Sequence, residues 1–249
     1  MYKPQSGWEK TLKANIQSLE NEFTSSVKIE YIIVNDGFEN DHLLSLFDVI
    51  EDAQNNIRFI SYNKNMGKGY ALRTGVAAAT ASTIVTTDFD FPYQPKDIKN
   101  IYSLIISGAE IVTGKRKQDY YVATPFKRKL ISKACIAMNK HLLNISLGDT
   151  QSGLKGFNKK GKSVFLQTTI NRFLVDTEFL LIAQKRKLKI AVVDINAREN
   201  LRLSTMGWKV MLAESKNFYK LFIQNSNYLS ALSVKEKYVQ QTNIADIRS

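Results

Sequence analysis

The sequence predicts an α/β protein with a mostly parallel sheet and helices on both of its faces. Short apolar, β-branched runs recur at close spacing, at Ile29 to Val34, Ile57 to Tyr62, Ile84 to Val85, Glu110 to Gly114 and Ile190 to Asp194. Between them lie segments with apolar residues at three- and four-residue steps, the period of a helix. Turn formers stand at the junctions, Asn35-Asp36-Gly37 and Gly67-Lys68-Gly69 among them. Strands and helices alternating at this spacing make a parallel sheet covered on both sides.

Taken in order, residues 8–23 place Trp8, Leu12, Ile16, Leu19 and Phe23 on one helical face. A strand follows at Ile29 to Val34, then a helix over 41–54 and a strand from Ile57 to Tyr62. A helix of small residues runs from the Gly67-Lys68-Gly69 turn to about Thr80. The next strand stops abruptly at Asp88 and Asp90, and is followed by a helix from Pro95 to Ser107 and a strand from Glu110. Residues 125–144 form a long basic helix with Leu130, Ala134, Met138 and Leu142 on one face. A Gly148-to-Gly153 loop, a helix near 175–187, a strand at Ile190 and a basic helix over 205–224 complete the chain. Residues 1–224 read as one domain and 225–249 as a polar tail.

The 249 residues are 44% hydrophobic and 23% charged, ordinary values for a globular protein. No apolar run approaches the ~18 residues of a membrane span, and no signal-peptide pattern opens the chain. A single cysteine, Cys135, excludes an internal disulfide, and with only His42 and His141 a Cys/His zinc site is not supported. These features point to the cytoplasm. The net charge of +12 calls for an anionic partner: a phosphorylated substrate, a membrane surface or nucleic acid. Nucleic acid fits worst, because the basic residues flank a site and form no stripe with interleaved aromatics.

Two carboxylates one residue apart at a strand's carboxyl end suit a hard divalent cation, Mg²⁺ or Mn²⁺, which completes its shell with water and substrate phosphates. A solvated turn holding two aspartates is the bland alternative. Asp36 ends an earlier strand in the same crevice, where its carboxylate can accept from a nucleobase N–H or cap its own turn. Gly67 and Lys68 precede a helix N-terminus, a place that favours phosphate, although the spacing matches neither a P-loop nor a dinucleotide fingerprint. Arg116 ends the strand after Asp90 and Arg128 begins the long helix; guanidinium groups suit phosphate oxygens.

Together these segments resemble the inverting family-2 glycosyltransferases of the GT-A fold, and within them the dolichyl- or polyprenyl-phosphate sugar synthases. The matching runs are Ile32-Ile-Val-Asn-Asp-Gly37, Asn65-Met-Gly-Lys-Gly69, Thr87-Asp-Phe-Asp90, Thr113-Gly-Lys-Arg116 and Asp149-Thr-Gln-Ser-Gly-Leu-Lys-Gly-Phe157. They cover roughly residues 2–205, and the last is the most specific to the polyprenyl-phosphate branch. The resemblance implies that Asp36 contacts the base, Asp88 the ribose or metal, and Asp90 the metal. It places Pro4, Gly67 and Lys68 on the donor side, Arg116 and Arg128 on the acceptor phosphate, and Asp149 and Gln151 along the acceptor. Asp176 and Glu178 resemble the family's acidic pair at a helix start, where favourable interaction with the helix dipole is the plainer explanation. The sequence departs from the family at its opening, where Met1-Tyr-Lys-Pro4 stands in place of an apolar strand and its loop, so the expected sheet lacks its first strand. It departs again at Pro92, where some relatives carry a metal-binding Gln.

The function implied is metal-dependent transfer of a sugar from a nucleotide-diphosphate donor to a polyprenyl phosphate, with peripheral contact to an anionic membrane at its inner face. An anionic phosphate acceptor needs no strong base; a sugar hydroxyl in cell-surface polysaccharide synthesis would need one, and Asp149 is the candidate. A degenerate, non-catalytic nucleotide-sugar binder is the third reading. A nucleotidyltransferase would need a Gly-rich loop directly after the first strand, and none is there.

Overall fold

The computed structural model describes residues 8–38, 56–117, 126–145, 147, 149, 152–196, 198 and 210–226. Helix α1 (Trp8–Glu20) buries the expected face, with Leu12, Ile16 and Leu19 all at or below 5% exposure. Strands β1 (Tyr31–Asp36) and β2 (Ile57–Tyr62) pair in parallel. Helix α2 (Lys68–Ala78) leads to β3 (Ile84–Thr86), α3 (Pro95–Ile106) and β4 (Ile111–Arg116). Pro95 opens α3 at a position where its missing N–H costs nothing. Then come α4 (Phe126–Leu142), β5 (Lys155–Phe157), α5 (Lys159–Phe165), α6 (Val175–Lys185), β6 (Ile190–Ile195) and α7 (210–226).

The described strands run mostly parallel, as expected, with β5 the antiparallel member that makes the sheet mixed. The described strands form a β1-β2 pair and a four-stranded sheet ordered β3-β5-β4-β6. The stretch expected as loop and motif supplies β5, which enters from the carboxyl ends of β3 and β4 and runs antiparallel to both. Lys155 therefore lies opposite Thr86 and Thr113, at the end where ligands of α/β sheets bind. Gly156 is required by α3, since a Cβ there would lie 2.2 Å from Ile101 Cγ2. A cavity of about 350 Å³ separates β1 from β3, lined by Ile32, Val34, Val76, Ile84 and Thr86.

One core joins α1 and α3 to the sheet through Leu12, Ile16, Ile98, Ile101 and Val112. Another, on the far side, is centred on Phe157, Phe165 and Phe179, whose ring centroids lie 5.0–5.4 Å apart. A third ties α7 to the body through Phe218 and Leu221, against Leu143, Ile145 and Leu181. Two expected surfaces turn out differently. Ala134, Met138 and Leu142 face solvent, while Asn139 and Leu143 are buried. The tail boundary at 224 falls inside α7, where Asn225 is buried and donates to the Leu142 carbonyl at 3.3 Å. The helix expected over 41–54, together with Pro4, Gln151 and Trp208, lies outside the described residues.

Candidate active site

The carboxylate of Asp36 organises the turn that follows β2. Its Oδ1 accepts from the Tyr62 hydroxyl at 2.8 Å and the Met66 N–H at 2.7 Å, and its Oδ2 from Asn65 Nδ2 and the Gly67 N–H, both at 3.0 Å. Burial, then the hydrogen bond and charge of Asp36, push the Tyr62 phenol up. Gly67 has φ +97°, and a Cβ there would lie 2.4 Å from the Asn171 carbonyl oxygen. The same oxygen accepts from the N–H groups of Gly69, at 2.8 Å, and Tyr70, at 3.4 Å. The N–H groups of Gly67, Gly69 and Tyr70 thus have protein partners. Asp36, 4% exposed, is likewise engaged with the turn, and contact with a nucleobase would require it to share that carboxylate.

What the turn presents is the side chain of Lys68. Its Nζ lies 2.9 Å from Asp88 Oδ1 and 3.5 Å from Asp176 Oδ2. Asp176 Oδ1 is in turn 3.1 Å from Nζ of Lys155, a side chain with no exposure. The four charges alternate from the core outward: Lys155, Asp176, Lys68, Asp88. Burial pushes the Lys155 ammonium down, with Asp176 acting in the opposite sense. Burial also opposes the charge of Asp88, but the nearby Lys68 outweighs it and holds the carboxyl below its usual range. Gly153 is another close approach, since a Cβ there would lie 2.2 Å from Asp88 Oδ2. Asp176 and Glu178 divide their tasks. Glu178 Oε2 accepts from the N–H groups of Thr169 and Ile170, each at 2.8 Å, and so fixes the segment against which Gly67 and Gly69 pack.

Arg116 and Asp149, placed separately in the sequence reading, form one bidentate pair: Nη2 donates to Oδ1 at 2.8 Å and Nε donates to Oδ2. Asp149 is buried, and the guanidinium is close enough to lower the carboxyl of Asp88. Tyr93 and Ser152 meet beside them, with hydroxyls 3.5 Å apart. Burial pushes the Tyr93 phenol up to about 12. Arg128 occupies the first turn of α4. Sequence reading missed Lys155, Tyr93 and Ser152. The only signal for Lys155 was its place in the Asp149-to-Phe157 run.

Asp90 is exposed at the mouth of this cluster. Partial desolvation of its carboxyl by the surrounding protein, then the charge of Asp88, push its pKa up. A carboxylate destabilised by a like neighbour is relieved by a divalent cation, so the residues fit one. Among the described residues no group of three or more His, Cys, Asp or Glu could hold a metal. Donor phosphates and water would therefore supply most of its ligands.

Residues 5–164 match the sequence profile of glycosyl transferase family 2. The chain belongs to that family. This family-2 chain is 28% identical over 210 residues to a dolichyl-phosphate beta-glucosyltransferase of Trichomonas vaginalis, a match that covers 76% of the chain and 61% of that protein. It is 31% identical over 174 residues to a UDP-N-acetylglucosamine–dolichyl-phosphate N-acetylglucosaminyltransferase of Methanococcus voltae, covering 66% of the chain and 68% of the relative. The chain thus spans about three fifths of the length of the Trichomonas relative. The glucosyl-3-phosphoglycerate synthase of Mycobacterium tuberculosis, solved with Mn²⁺, UDP-glucose and phosphoglyceric acid, superposes with a TM-score of 0.62 at 16% identity. That match covers 89% of this chain and 77% of the synthase. At that identity the likeness shows the shared fold, GT-A.

Proposed function

We propose that this family-2 chain is a metal-dependent inverting glycosyltransferase that moves a sugar from a nucleotide-diphosphate donor to a polyprenyl phosphate. The observation that carries the acceptor assignment is the Arg116–Asp149 pair. A carboxylate with both oxygens engaged by a guanidinium serves to orient it, which suits an acceptor that arrives already anionic and needs no base. Asp149 then serves to orient Arg116, and Arg116 with Arg128 positions the phosphate. Mg²⁺ or Mn²⁺ on Asp90 would neutralise charge on the leaving diphosphate. Asp36 would shape the donor side through its turn, and Lys68 would face the diphosphate.

Two further features support a lipid acceptor. Both relatives named above carry dolichyl phosphate in their descriptions. Helix α7 buries Phe218 and Leu221 inward yet exposes Met211, Leu212, Tyr219, Phe222 and Ile223 beside Lys216 and Lys220. Such a face suits the interface of an anionic membrane, and no described helix is long and apolar enough to cross one. The test is a thermal-shift panel of UDP-, GDP- and dTDP-sugars with and without Mn²⁺, because a ligand bound only by the folded state raises its stability. One donor should stabilise the protein in a metal-dependent way; no shift with any of them would remove the donor assignment.

A further inference from the structure

Lys68 is the only ammonium the described structure places within 4.0 Å of either carboxylate of the Asp88/Asp90 pair. Its geometry leaves little freedom. The residue opens α2, and Gly67 and Gly69 on either side pack against the backbone of Ile170 and Asn171. Asp176, nearly buried and itself anchored by Lys155, holds the other side of the ammonium at 3.5 Å. An ammonium 2.9 Å from Asp88 already gives that carboxylate a cation, and a divalent ion brought to the same group would be repelled by it.

We propose that Lys68 is a built-in counter-cation on Asp88, held there by Asp176, that keeps metal off this carboxylate until a nucleotide diphosphate draws the ammonium away. The protein then binds divalent metal weakly alone and tightly with nucleotide. Linkage requires that metal raise nucleotide affinity by the same factor. The inference rests on the donor reading above and adds an order to it: Asp90 is the first protein ligand, and Asp88 joins once Lys68 has turned to the diphosphate.

Mn²⁺ binding followed by electron paramagnetic resonance tests this without turnover. Wild type should bind Mn²⁺ at least tenfold more tightly with UDP or GDP present than without. Lys68→Met should bind Mn²⁺ at least tenfold more tightly than wild type in the absence of nucleotide, and Lys68→Arg should restore weak binding. Asp88→Asn should leave the nucleotide-free affinity of wild type almost unchanged but abolish the gain in the Lys68→Met background, a coupling that a general disturbance of the fold would not produce. Lys68→Gln provides a second neutral variant should Lys68→Met fold poorly. Equal nucleotide-free affinity in wild type and both neutral variants, with nucleotide-dependent binding intact, overturns the proposal and leaves the donor reading standing. No Mn²⁺ binding under any of these conditions overturns both.

Discussion

Lys155 and Asp176 form an ion pair 3.1 Å apart in which neither side chain is more than 2% exposed. Removing one member of such a pair leaves an uncompensated buried charge, at about 3–5 kcal/mol. Asp176→Asn should therefore lower stability by that order, since it strands Lys155 and loosens Lys68 together. The urea midpoint, read with an unchanged slope, is the check; a loss below about 1 kcal/mol would mean the pair is not buried as described.

Asp36→Ala should destabilise the protein by about 3 kcal/mol, because several donors around the 63–67 turn lose their acceptor. Tyr62→Phe removes only the 2.8 Å hydroxyl contact and should cost about 1 kcal/mol. Similar losses for both variants in urea unfolding would contradict the central place given to Asp36 in the turn.

Gly67 and Gly108 allow a controlled comparison. Both have positive φ, but a Cβ on Gly67 meets the Asn171 carbonyl at 2.4 Å, while one on Gly108 meets nothing within 4 Å. Gly108→Ala should cost about 1 kcal/mol in backbone strain alone, and Gly67→Ala distinctly more. Melting curves of the two variants should separate; coincident curves would show that the turn does not pack on the 170–171 segment.

Much of this frame was legible in the sequence, and the part that was not has a common cause. Ile57 to Tyr62 was read with the bounds it has, and Pro95 and Asp88 stand where turn chemistry put them. Periodicity could not choose between the two faces of α4, where Met138 and Leu142 compete with Leu143, and burial of Asn139 decided for the less apolar side. Lys155 was not singled out because a fully buried lysine makes sense only once Asp176 is beside it, and those residues are brought together by tertiary structure alone. The same holds for Arg116 and Asp149, separated by 33 positions.

Acidity should act on the two site carboxylates in opposite senses. Asp88 is held below the usual range despite burial, so the unfolded chain binds more protons between its depressed value and ~3.9. Its contribution is complete near neutrality and is lost as pH falls below about 4 through the folded value. Asp90 is raised, so the folded state binds more protons just above ~3.9 and its contribution declines as pH rises through that window. Asp90→Asn should thus be at least as stable as wild type near pH ~7, with the advantage fading toward about pH 4. Asp88→Asn should be less stable near neutrality, with the gap closing in acid. Urea midpoints across this range decide it; a destabilised Asp90→Asn at neutral pH would contradict the assignment.

The most direct test is transfer itself. Purified protein, supplied with Mn²⁺, a polyprenyl phosphate in detergent or anionic vesicles, and labelled UDP-, GDP- or dTDP-sugars in turn, should move label from one donor into the lipid. Chelation should stop it, Asp90→Asn should keep less than about a tenth of the rate, a barrier change above ~1.4 kcal/mol, and Asp149→Asn should retain more activity than the 10²–10⁴-fold loss typical of a missing general base. Label appearing in a free sugar acceptor but never in the lipid, or a loss on Asp149→Asn as large as that of a missing base, would contradict the account.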